Sequence, residues 1–128
     1  MKLTPIDEKK EIEGSLLVYR GVKLIVARSN NVNFKKTFRD NLKPYKNDFD
    51  NDRMEDSVAE RLMIKCVAKT ILVGWTDFKD VEGKEWEYSV ANAEELLTDD
   101  KDVYEEITKF SENIDNYITR DKETLKGK

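Results

Sequence analysis

The residues able to do chemistry in this chain are few and poorly grouped. Cys66 is the one cysteine, and there is no histidine at all. Serine–histidine and cysteine–histidine catalysis and every histidine-containing metal site are therefore excluded. A single thiol also excludes an intrachain disulfide, a four-cysteine zinc site and an iron–sulfur cluster. Asp48-Phe49-Asp50-Asn51-Asp52 has the alternating oxygens of a calcium loop. However, Arg53 stands where that loop needs glycine and Ala59 where it needs a bidentate glutamate. A polar stretch ahead of a helix is the better reading. Glu94-Glu95 and Asp99-Asp100 are adjacent carboxylates that point apart on a helix, with no cleft implied between them. Gly83-Lys84 lacks the upstream glycine and the following hydroxyl of a phosphate loop. Cys66 lies among apolar neighbours at helical spacing and reads as a core residue. No catalytic residue, metal ligand or cofactor site is expected, and the chain is read as not an enzyme.

What remains is charge and aromatic surface. Lys35, Lys36, Arg39 and Lys43 form a basic helix face, joined by Lys46. Residues 20–46 carry eight positive charges and one negative, net +7, whereas residues 76–115 carry four positive and fourteen negative, net −10. Such asymmetry suits contact between copies or with a charged partner. Nucleic-acid binding by the basic face is disfavoured, because the whole chain has a net charge of −4 and no aromatic is interleaved on the wet side. Trp75, Phe78 and Trp86 sit beside acidic residues and could offer an aromatic surface to a partner. The alternative is that the tryptophans are core.

The elements that must position these groups can be read in outline. The chain has 128 residues, enough for one domain with its own core. Residues 1–13 read as a flexible, extended arm, 14–118 as a single globular domain and 119–128 as a polar C-terminal tail. Two β-rich runs around Arg20-Gly21 predict a hairpin over about 15–28. Phe34, Phe38 and Leu42 recur every fourth residue, predicting a helix over 33–43 that stops at Pro44; Asn47 to Asp52 is read as a polar loop. A wide apolar stripe that extends nearly all round predicts a central buried helix over 54–73, with Arg61, Lys65 and Lys69 as its wet edge and Gly74 as its C′ glycine. A short irregular strand is expected at 85–88, then helices over 90–97 and 101–118, the first capped by Ser89 and the second by Thr98 or Asp99. The fold class is mainly α, an α+β arrangement with a small hairpin. The N-terminus has no run that could serve as a signal peptide, and no stretch is apolar enough to span a membrane.

Four stretches in this order carry a family likeness. They are Leu24-Ile25-Val26-Ala27-Arg28 followed by Asn30-Asn31; Val58-Ala59-Glu60-Arg61-Leu62-Met63; Ile71-Leu72-Val73-Gly74-Trp75-Thr76-Asp77-Phe78 with Gly83-Lys84 and Trp86-Glu87-Tyr88-Ser89; and Asn92-Ala93-Glu94-Glu95-Leu96-Leu97-Thr98. Together they resemble the small tail assembly chaperones of long-tailed bacteriophages, over about residues 14–118. The resemblance implies a non-enzymatic protein of the host cell cytoplasm. Such a protein would bind the tape-measure protein, assist polymerisation of the tail-tube protein and self-associate. Lys35, Lys36, Arg39, Lys43, Trp75, Phe78 and Trp86 are then the candidate partner-binding residues. The alternatives are a structural tail or neck protein retained in the virion, or a small nucleic-acid-binding regulator.

Overall fold

The computed structural model describes residues 3–119 and is an α+β fold with mainly helical content. Residues assigned to a flexible arm instead form helix α1, Glu8–Glu13. The Asp7 carboxylate caps it by accepting from the amides of Lys9 and Lys10 at 3.0 and 3.2 Å. Gly14 ends it with φ +99°, and its amide donates to the Lys10 carbonyl. The helix is held by its partners and not by an apolar face. The Arg28 guanidinium donates to the Glu11 carboxylate at 2.7 Å, and the Asp7 amide donates to the Tyr117 carbonyl at 2.7 Å.

Strands β1, Ser15–Tyr19, and β2, Val22–Val26, form the expected hairpin. Arg20 and Gly21 both have positive φ, +50° and +81°, as a two-residue turn matched to the strand twist requires. Strand β3, Leu72–Thr76, pairs antiparallel with β2 and completes a sheet in the order β1-β2-β3. The register places Leu17 opposite Leu24 and Leu24 opposite Trp75, so these three share the inward face.

Helix α2, Val32–Leu42, begins at a buried cap. Asn31 accepts from the Phe34 amide through Oδ1 and donates through Nδ2 to the carbonyls of Arg28 and Thr70. Pro44 does not open a loop. A 3-10 turn, Lys43–Tyr45, carries the chain into a further short helix, α3, Lys46–Asp50, where a polar loop was expected. Proline fits there because the first turn of a helix needs no amide donor.

The long helix α4 spans Asp56–Thr70, not 54–73. Its exposed edge is Arg61, Lys65 and Lys69, and Leu62, Cys66, Val67 and Ala68 are buried. Its last predicted turn is instead strand β3, and Gly74 lies within that strand opposite Ile25. An unbroken apolar run fits a buried helix and a buried strand alike. Here the choice falls to strand because β2 supplies a ladder; the Ala27 amide also donates to the Ile71 carbonyl at 2.7 Å.

Residues 77–89 fold back over the sheet. The strand expected at 85–88 reduces to one bridge, Lys79 with Glu85, plus a bond from the Trp86 amide to the Phe78 carbonyl at 2.7 Å. Ser89 caps α5, Val90–Asp99, and Asp100, rather than Thr98 or Asp99, caps α6, Lys101–Glu112. The helix predicted over 101–118 stops at Glu112. Asn113 leaves the helical conformation, a 3-10 turn covers Ile114–Asn116, and Tyr117 turns into the interior. Its hydroxyl donates toward the carbonyls of Val26 and Ala27, at 2.9 and 3.2 Å. The bond from the Asp7 amide to the Tyr117 carbonyl and an Ile6–Ile118 bridge join the two ends of the described chain. The polar tail over 119–128 lies outside the described residues, save Thr119, whose amide donates to the Pro5 carbonyl. Helix α4 packs on α2, α5 and β3, and one buried cluster draws on the sheet, α4, α5 and α6.

Candidate partner-binding surfaces

The third sequence stretch builds an aromatic cluster. Trp75 points inward from β3, and the returning loop lays Phe78, Trp86 and Tyr88 around it, with ring centroids 5.0, 5.1 and 5.2 Å from its own. The Trp75 indole donates to the Trp86 carbonyl at 2.6 Å. The Tyr88 hydroxyl donates toward the carbonyls of Leu72 and Ala68, at 2.8 and 3.2 Å. It thereby ties the end of α4 to the start of β3, and burial pushes its phenol up. Trp75 is only 7% exposed, while Phe78 and Trp86 are half-buried against the core. The three aromatic candidates are thus brought together, but as packing. A buried indole with its N–H satisfied is not a free surface.

The basic candidates stand apart from that cluster. Lys35, Lys36 and Arg39 are exposed, with no ion pair or hydrogen bond to another side chain among the described residues. Lys43 leans on Asp40 at 3.6 Å, and Lys46 bonds Asp50 at 2.8 Å. Val32, 68% exposed, precedes Lys35, Lys36 and Arg39 at helical spacings of three, four and seven. These four therefore make one outward stripe of α2.

Sequence reasoning missed two surfaces. Along α2 and α3, Phe34, Phe38, Leu42, Tyr45 and Phe49 recur at spacings of four, four, three and four. Phe34 packs against the core and stacks on the half-buried Phe38 at 6.0 Å, but Tyr45 is exposed and Phe49 is 49% exposed. The stripe continues past Pro44, where the sequence pattern predicts a stop. The second is a groove of about 570 Å³ between α4 and the α5–α6 corner. Met63, Ile64 and Tyr104 floor it and Glu60 and Glu105 edge it, with Lys101 at one side. Reading α4 as apolar nearly all round concealed that part of it is left uncovered.

Groups with catalytic potential are occupied otherwise. Burial raises the Cys66 thiol, and the Asn41 amide donates toward its sulfur at 3.7 Å. Asp48 and Asp50 turn toward Arg53 and Lys46 rather than converging. Among the described residues no group of three or more metal-ligating side chains is gathered. The strongest electrostatic contact is structural: the Arg20 guanidinium donates to Asp100 at 2.5 Å and, with the Val103 amide, holds that carboxyl below its ordinary range. Among the described residues no helix is long and apolar enough to cross a membrane.

The chain is thus an α+β domain with an aromatic stripe along α2 and α3 and an acidic-edged groove beside α4. Residues 29–128 match the family model of the YdaY prophage proteins, and the chain belongs to that family. It is a phage-derived protein. No curated protein and no solved structure matches it.

Proposed function

We propose that this phage-derived protein is a tail assembly chaperone: a non-enzymatic protein of the host cell cytoplasm that binds the tape-measure protein and assists tail-tube polymerisation. The observation that carries the reading is the aromatic stripe along α2 and α3, whose end is exposed. Phe34 anchors it to the core and stacks on Phe38, and Tyr45 and Phe49 leave its end uncovered. An apolar stripe at helical spacing is what a partner helix packs against. A holdase for a long helical client needs such a surface, small enough that the free protein stays dispersed. Phage ancestry and the tail-chaperone likeness of the four sequence stretches supply the client. Trp75, Phe78 and Trp86 do not belong to this surface, because they are consumed in packing.

Co-expression tests the reading. The tape-measure protein of the same phage should be insoluble alone and soluble, in complex, with this chain. Tyr45→Ser with Phe49→Ala should lose that effect. A tape-measure protein that stays insoluble beside the wild-type chain would overturn the proposal. Finding the chain at stoichiometric copy number in purified virions would favour a structural tail or neck protein.

A further inference from the structure

The outward stripe of α2 and the groove beside α4 are complementary in both charge and polarity. On α2, an exposed apolar residue, Val32, is surrounded by Lys35, Lys36 and Arg39. All three cations lack an anionic partner among the described residues. In the groove, the apolar floor of Met63, Ile64 and Tyr104 is edged by the exposed carboxylates of Glu60 and Glu105. Neither carboxylate has an ion pair or a hydrogen bond among the described residues. Neither surface can pair with itself, since that would set like charges face to face. Within one copy they cannot meet either, because α2 and the groove are held on different flanks of the same rigid helix α4.

We propose that the occupant of the groove is the α2 stripe of a second copy, with Val32 over Met63 and Ile64, and with Lys35, Lys36 and Arg39 facing Glu60 and Glu105. The contact joins two different surfaces, so every copy offers one of each to its neighbours. Exposed ion pairs contribute little singly, so the contact is weak, concentration-dependent and loosened by salt. This inference is independent of the client reading, which uses the opposite, aromatic edge of α2 and α3.

The experiment is sedimentation velocity of the wild-type chain and of two charge-reversed forms. One carries Lys35→Glu, Lys36→Glu and Arg39→Glu; the other carries Glu60→Lys and Glu105→Lys. All five positions are exposed, so circular dichroism melts should match the wild type. The wild type should associate at low salt and dissociate as salt rises from about 50 to about 500 mM. Each reversed form should sediment as monomer. An equimolar mixture should associate, because the first form keeps its groove and the second keeps its stripe. Uniting all five changes in one chain should also restore association. Should a reversed form lose its melt, Lys35→Gln with Lys36→Gln, and Glu60→Gln with Glu105→Gln, give the same comparison with partial loss. A wild-type chain that stays monomeric would assign the groove to some other partner and overturn the proposal. Reversed forms that associate as the wild type does, or a mixture that stays monomeric, would overturn it as well.

Discussion

Trp75 and Phe49 are both aromatic residues close to aspartates in sequence, and they end in different situations. Trp75 lies on a strand whose inward register sets it opposite Leu24, and the following loop returns to give its indole N–H a carbonyl and its ring three aromatic neighbours. Phe49 lies on a five-residue helix flanked by ion pairs and remains half exposed. The same side-chain chemistry is thus core in one case and surface in the other. What decides is whether further chain is folded back onto the ring. Around Trp75 the returning loop is closed by the bond from the Trp86 amide to the Phe78 carbonyl. The α2–α3 elbow makes its backbone bonds within itself and leaves Tyr45 and Phe49 exposed.

Breaking the packed side should give the largest effect. Trp75→Ala removes the centre of the cluster and leaves the Trp86 carbonyl without its donor, so it should cost about 3–5 kcal/mol in urea unfolding. A loss under about 1 kcal/mol would place Trp75 with the surface aromatics after all. Next comes Tyr117→Phe, which keeps the buried ring and deletes only the hydroxyl on Val26 and Ala27. A cost of about 1–3 kcal/mol is expected, because buried carbonyls lose a donor. Burial raises the phenol well above its ordinary value, so this contribution should be constant across neutral pH.

The comparison also shows which parts of the chain were legible. The hairpin was readable because a Gly at the turn supplies the positive φ that the strand twist needs. The α2 start and the Ser89 cap were readable from side chains that bond the first turn. The exposed state of Lys35, Lys36 and Arg39 followed from period alone. The end of α4 was not legible, since Ile71-Leu72-Val73 suits helix or strand until a neighbouring strand competes for its amides. Tyr117 was assigned to a helix face, though its partners lie about ninety residues away in β2. Helix α1 was hidden because it is held by Glu11–Arg28 and main-chain bonds and has no apolar periodicity. Gly74 gives a direct check on the strand assignment. Its φ is not positive, and a Cβ there would meet only Ile25, at an ordinary 3.5 Å. Gly74→Ala should therefore stabilise by about 0.4–1 kcal/mol, whereas the same change at a left-handed helix cap would destabilise. Gly14→Ala is the contrasting control, with φ +99° and the Ile25 side chain 2.6 Å from the new Cβ.

The smallest effect on stability should come from the unpartnered side, and it separates the two aromatic groups most sharply. Phe49 is half exposed on a helix without a buried residue, so Phe49→Ala removes little buried area. Its melt should lie within about 0.5 kcal/mol of the wild type, as for surface substitutions generally. If the aromatic stripe is a client surface, the same substitution should nevertheless reduce the yield of soluble tape-measure complex, since an aromatic anchor in an interface is often worth about 2 kcal/mol or more. Phe34→Ala should behave in the other way, because Phe34 packs against the core and stacks on Phe38; it should lower the melt and weaken the complex together. The informative quantity is the ratio of the two effects along the stripe: stability loss falling, and binding loss persisting, from Phe34 to Phe49. A Phe49→Ala protein with both its melt and its complex intact would show that the exposed end of the stripe recognises nothing. The reading would then have to fall back on the half-buried Phe34 and Phe38, where surface and core are no longer separable.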